Sequence, residues 1–214
     1  MTIKDNLRAV RERIARTGRN PDVVAIVAVT KGFGPEVCRQ ALDAGLKVLG
    51  ENRVQEALEK MEQVEGATWH LIGHLQTNKV KLVAGRFALI QSIDSAHVAE
   101  ALARINVEQK VLVEVNVARE PKKTGVDPAS AGELIASVAE MLDLQGVMAM
   151  GPAGGDPKPA FDELRQIRDA AQERLGRSLP ILSMGMSGDF EVAVAAGSTM
   201  VRLGTVLFGP RPQR

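Results

Sequence analysis

Along the chain, short continuous runs of apolar, often β-branched residues alternate with longer stretches whose apolar residues recur at three and four positions. VVAIVAV at 23–29 is the clearest of the runs: it has no polar alternation, and Asn20-Pro21-Asp22 precede it, as expected for a strand buried on both faces of a parallel sheet. Comparable runs occupy 47–50, 68–73, 87–92, 110–117, 144–150, 180–184 and 198–203, which makes eight predicted strands. Helical spacing marks 35–45, 53–64, 96–107, 129–142 and 161–176, and the shorter segments 77–85 and 189–197 complete the alternation. The leading segment 1–18 mixes charges with apolar residues in the manner of an amphipathic helix. Eight strand-helix units in 214 residues predict one domain, a single (β/α)8 TIM barrel with an extra N-terminal helix. The loop-like GPAGGDPKP at 151–159 reads as a strand-to-helix connection inside it.

Charge narrows the possible partners. With 27 basic and 26 acidic side chains, nothing in the balance suggests a nucleic-acid or anionic-membrane surface, so any anion must be held locally. The N-terminal MTIKDNLRAVRERIARTGRN has no continuous apolar core of the kind a signal peptide or a membrane span requires. Cys38 is the one cysteine, which excludes an intramolecular disulfide and fits a reducing compartment; the cytoplasm is the expectation. A single tryptophan and five phenylalanines give no aromatic-rich surface signature for a protein partner, and a monomer is expected. There is no tyrosine.

In a barrel, function belongs to the loops that follow the strands. Lys31, in AVTKGFG, directly follows the first strand; position alone suits an ordinary rim lysine, and a chemical role needs a carbonyl partner. SMGMSGD at 183–189 and VRLGTVLFG at 201–209 follow or contain the last two strands, where barrels often hold a phosphate on backbone N–H groups and hydroxyls. Gly185, Ser187, Gly188, Gly204 and Thr205 supply those parts, although each alone would read as a turn or cap residue. Arg202 falls within the eighth strand and, if it faces inward, needs acceptors for its donors. Asn52, in LGENRVQEA, would by itself be read as a helix cap. His70 and His74 are four apart, but they lie on a strand running into a glycine turn with no third ligand nearby, so no metal site is expected. His97 is expected at the surface, and Cys38 is expected to pack rather than react.

Taken together, Lys31, GEN at 50–52, WHLIGHLQTNK at 69–79, KTG at 123–125, SMGMSGDFEVAVAAGSTMVRLGT at 183–205 and LFGPR at 207–211 resemble the pyridoxal phosphate homeostasis protein family. That family looks like the barrel domain of alanine racemase without its second, β-rich domain, the fold-type III class of pyridoxal 5'-phosphate (PLP) proteins. The resemblance spans nearly the whole chain. It implies that Lys31 holds PLP as a Schiff base, that Ser187, Gly204 and Thr205 hold the phosphate, and that Arg202 faces the pyridine nitrogen. Asn52 and His74 match residues lining the cofactor pocket. Thr30-Lys31-Gly32 departs from the family pattern, in which a threonine usually follows the lysine.

The implied chemistry has a limit. A permanent cation opposite the ring nitrogen disfavours its protonation and weakens the ring as an electron sink. Two-base racemization in the related enzymes pairs a lysine with a tyrosine from the second domain; a chain without tyrosine lacks that acid unless another residue or chain supplies it. The expectation is a PLP carrier or regulator acting in intracellular PLP homeostasis and amino-acid balance, with PLP-dependent apoenzymes as its partners and no catalytic residue assigned. Two alternatives stay open at this point: a weak amino-acid racemase or transaminase using the same lysine, and a phosphate-binding barrel isomerase without PLP.

Overall fold

The computed structural model describes residues 2–210; Met1 and residues 211–214, including Arg211 of the LFGPR motif, lie outside them. Eight strands close into a parallel barrel in sequence order, each paired with the next and the last with the first. The strands are β1 (Ala25–Val29), β2 (Val48–Glu51), β3 (Thr68–Leu71), β4 (Leu89–Ile93), β5 (Lys110–Glu114), β6 (Asp143–Met148), β7 (Ile181–Ser183) and β8 (Met200–Leu203). Each coincides with one of the apolar runs to within two residues at either end, except that β5 stops at Glu114, three residues short of the end of the 110–117 run. The match arises because a strand covered by helices outside and by side chains inside must be apolar along its length. The helices alternate with them: α1 (Ile3–Arg16), α2 (Pro35–Asp43), α3 (Val54–Met61), α4 (Val80–Val83), α5 (Ala96–Ala103), α6 (Pro128–Met141), α7 (Lys158–Leu175), α8 (Phe190–Ala195) and α9 (Thr205–Phe208). Among the described residues, no helix is long and apolar enough to cross a membrane.

The leading helix starts on a capping box: the Thr2 side chain accepts from Asp5 N–H, and the Asp5 carboxylate accepts from Thr2 N–H. Its buried face, Leu7, Val10 and Ile14, packs into the main core. Arg13 donates both Nε–H and Nη2–H to Glu191 of α8, and its guanidinium stacks 4.4 Å from the Phe190 ring centre, which fixes α1 across the end of the chain. Three predicted helices are clearly shorter than their apolar spacing suggests, the 53–64 stretch among them, which forms a helix only over Val54–Met61. The 96–107 stretch ends at Ala103 because Asn106 turns to φ 55°, and 77–85 splits into a 3-10 turn and the four-residue α4.

Core material lies in two places. A large cluster fills the layer between strands and helices, and a small one, Val27, Leu89, Leu112, Met148 and Met200, fills the barrel itself. Above that small cluster the interior turns polar: His70, Gln91, Glu114, Ser183 and Arg202 are all buried. That polar layer lies under the site.

Candidate cofactor site

A cavity of about 250 Å³ opens at the C-terminal ends of the strands. Its walls combine Lys31, Asn52, Arg202 and the loop residues Ser187, Gly188, Gly204 and Thr205 with an apolar set of Val29, Phe33, Ile72, Met150 and Met186. The structure thus brings together seven of the residues singled out from sequence (Lys31, Asn52, Ser187, Gly188, Arg202, Gly204 and Thr205), although they are spread over four strand ends; Gly185 is not in the lining. His74 is not among the lining residues. It is exposed after β3, with its Nδ1 3.0 Å from the Asp94 carboxylate beyond β4.

The turn that carries Lys31 is closely held. Thr30 N–H donates to Gly50 C=O, the Thr30 hydroxyl donates to Glu51 Oε1 at 2.6 Å, and Gly32 N–H donates to Glu56 Oε1 at 2.7 Å. Gly32 has φ 78°, the left-handed region where a β-branched residue would be strained, so the glycine that departs from the family pattern suits the turn this chain makes. Asn52 follows β2 with one residue, Arg53, between it and α3. Arg53 takes the cap position, and Asn52 turns into the cavity with its Oδ1 buried and accepting nothing from the described residues. The ends of β2 and β3 approach so closely here that a Cβ on Gly73 would collide with the Asn52 carbonyl. Only glycine fits there.

Beyond the ends of β7 and β8, the Ser187 hydroxyl lies where the N–H groups of Gly204 and Val206 converge, each at 3.3 Å. These bonds are long, and the donors suit an anion that accepts more strongly than a hydroxyl does. Met186 N–H donates to Asp189 Oδ1, closing the turn that presents Ser187.

Arg202, only 4% exposed, points inward from β8. Its Nη1 donates to Ser183 O at 3.0 Å and to Ser183 Oγ at 2.8 Å, and its Nη2 donates to Ala149 O at 2.8 Å. Burial pulls its pKa down to about 10, with Glu114 and Asp189 acting against that from a distance. From Ser183 the chain of bonds continues across the barrel: Ser183 Oγ donates to Gln91 Oε1 at 2.7 Å, and Gln91 Nε2 donates to His70 Nδ1 at 3.0 Å. Burial depresses the His70 pKa to about 4, so the ring is neutral near pH 7 and free to accept at Nδ1. Sequence reasoning missed Gln91, Ser183 and this role of His70. The only signal was a polar residue interrupting each apolar run.

On these features the molecule is a one-barrel member of the alanine racemase class: the family model described as "Alanine racemase, N-terminal domain" matches residues 1–212. Within that class, the chain is 42% identical to the pyridoxal phosphate homeostasis protein of Aquifex aeolicus, over 99% of both chains. It is 37% identical to that of Escherichia coli (strain K12), over 98% of this chain and 97% of the other. The structure of PipY from Synechococcus elongatus with PLP bound superposes with a TM-score of 0.85 at 33% identity, covering 97% of this chain and all of PipY (100%). The chain belongs to the pyridoxal phosphate homeostasis protein family.

Proposed function

We propose that this protein binds PLP in the cavity at the barrel mouth and serves intracellular PLP homeostasis. The observation that carries the reading is the convergence of Lys31, Arg202 and the Ser187–Gly204–Thr205 surface on one cavity. The donor set fits the cofactor: an amine for the aldehyde, hydroxyls and converging backbone N–H groups for the phosphate, and a guanidinium for the acceptor nitrogen of the ring. The buried Asn52 Oδ1 adds an acceptor awaiting a donor. PLP supplies an aldehyde that an amine can capture and a ring that can withdraw electrons. Lys31 captures it as a Schiff base, Ser187, Gly204 and Thr205 hold the phosphate, and Val29, Phe33, Ile72 and Met150 exclude water from the ring. His74, which lies outside the lining and bonds Asp94, is given no contact with the cofactor in this reading.

Arg202 keeps a positive charge where the ring nitrogen would need a proton, so the protein holds the cofactor more than it drives chemistry on it. The lack of tyrosine supports the same conclusion. We read the protein as a cytoplasmic monomer that returns PLP to PLP-dependent apoenzymes. Two measurements test the binding. Denatured protein should release PLP, and the holoprotein should show an absorbance band near the visible edge that vanishes in Lys31→Ala. A spectrum unchanged by that substitution would refute the assignment of Lys31.

A further inference from the structure

The Lys31 turn rests on a charge cluster that belongs neither to the cavity nor to the cofactor. Lys60, on the inner face of α3 and 5% exposed, donates from Nζ to Thr30 O at 2.9 Å, to Glu51 Oε1 at 2.6 Å and to Glu56 Oε1 at 2.8 Å. Glu56 Oε1 in turn accepts from Gly32 N–H, and Glu51 Oε1 accepts from the Thr30 hydroxyl. The carbonyl before Lys31 and the N–H after it are therefore both tied to one ammonium and its carboxylates. Glu51 also immediately precedes Asn52, which lines the cavity. A surface helix needs no such arrangement: a lysine of α3 pointing outward would have kept its hydration, and burying it carries a desolvation cost that the two carboxylates offset.

We propose that Lys60 is a positioning residue for Lys31. By fixing both peptide groups that flank Lys31, it sets the direction of the Lys31 Cα–Cβ bond, so that the flexible four-carbon side chain starts out aimed into the cavity. The ordering is done on folding and need not be paid for on binding, which is how preorganisation raises affinity. The consequence is specific: losing Lys60 weakens capture of an aldehyde by Lys31 and leaves in place the phosphate contacts, which come from the loops after β7 and β8, and the ring contacts of Val29, Ile72, Met150 and Arg202, none of which it bonds.

This inference rests on the proposed PLP site, and the test separates the two. Affinity is measured for PLP and for 4'-deoxypyridoxine 5'-phosphate, which has the ring and phosphate but no aldehyde. The wild type should prefer PLP by at least about tenfold, and Lys31→Ala should abolish that preference. In Lys60→Met the preference should fall at least about fivefold, with affinity for the deoxy analogue changed less than about twofold. Glu56→Ala, which removes the Gly32 acceptor from a less buried position, should act in the same direction, with faster hydrogen exchange at the Gly32 amide; it decides the matter if Lys60→Met does not fold. A retained preference for PLP in the folded variants would overturn the positioning role, as would equal loss of both ligands. A wild type with no preference for PLP would instead overturn the Schiff-base reading itself.

Discussion

Lys60, between α3 and the strands, and Arg202, inside the barrel, are both buried cations, and the protein treats them oppositely. Lys60 meets two carboxylates at 2.6 and 2.8 Å, and although burial alone would push its pKa down, those bonds outweigh it and leave the ammonium more basic than in water. Arg202 meets only neutral acceptors, two carbonyls and a hydroxyl, and no carboxylate among the described residues pairs with it directly, so burial prevails and its pKa falls to about 10. One charge is consumed by the scaffold, and the other is kept at a cavity wall. The difference shows how a fold can hold a positive charge ready for a ligand: it supplies enough hydrogen bonds to orient the guanidinium and withholds the counter-ion that would neutralise it.

Four substitutions probe that contrast. The largest effect should come from Lys60→Met, which leaves the fully buried Glu51 carboxylate without its cation; urea unfolding should show a loss of about 3–5 kcal/mol at pH 7. Burial already raises the Glu51 pKa, against the bonds from Lys60 and Thr30, so the deficit should shrink as pH falls and the carboxyl takes up a proton. Next comes His70, at the far end of the Arg202 chain of bonds. Its pKa is near 4 folded against 6.5 unfolded, so between those values the unfolded state binds more protons, and the contribution of His70, on the order of 3 kcal/mol, is complete above pH 6.5 and lost as pH falls through 4. Unfolding free energies of His70→Gln across that range should lack this pH dependence. Glu51 and Glu114, both with raised pKa, act with the opposite sign, so the difference from wild type is the quantity to read.

Arg202→Met should change the stability of the cofactor-free protein by no more than about 1–2 kcal/mol, because no directly paired carboxylate is left behind. PLP affinity should nevertheless drop at least about tenfold in a titration. A loss of stability as large as that of Lys60→Met would break the comparison. The smallest effect belongs to the exposed Arg119–Glu163 pair: despite its two-pronged geometry, Arg119→Ala should leave the unfolding midpoint unchanged within error, because solvent screens it.

The same contrast explains what the sequence could tell. All eight strands are legible because burial on two faces writes itself as unbroken apolar runs, and Lys31 and the glycine-rich loops are legible because they sit at the ends of those runs. Arg202 stood out as a charge inside a strand. Lys60 did not: in RVQEALEKMEQV it looks like any helix lysine, and although its spacing from Glu56 suggests a pair along the helix, the decisive partners, Glu51 and the Thr30 carbonyl, come from other elements. Asn52 reads as a helix cap, and only the short connection to α3 reveals that Arg53 takes that position. Ser183 and Gln91 carry no local mark of their bond because β7 and β4 meet across the barrel, a proximity that pattern along one strand does not encode.

The most direct test of the central claim, that Lys31 captures PLP in this cavity, is borohydride reduction of the PLP-loaded protein followed by peptide mapping by mass spectrometry. A stable pyridoxyl adduct is expected on the peptide containing Lys31, and none there in Lys31→Ala. An adduct confined to other lysines, or none in a protein that still carries PLP, would contradict it.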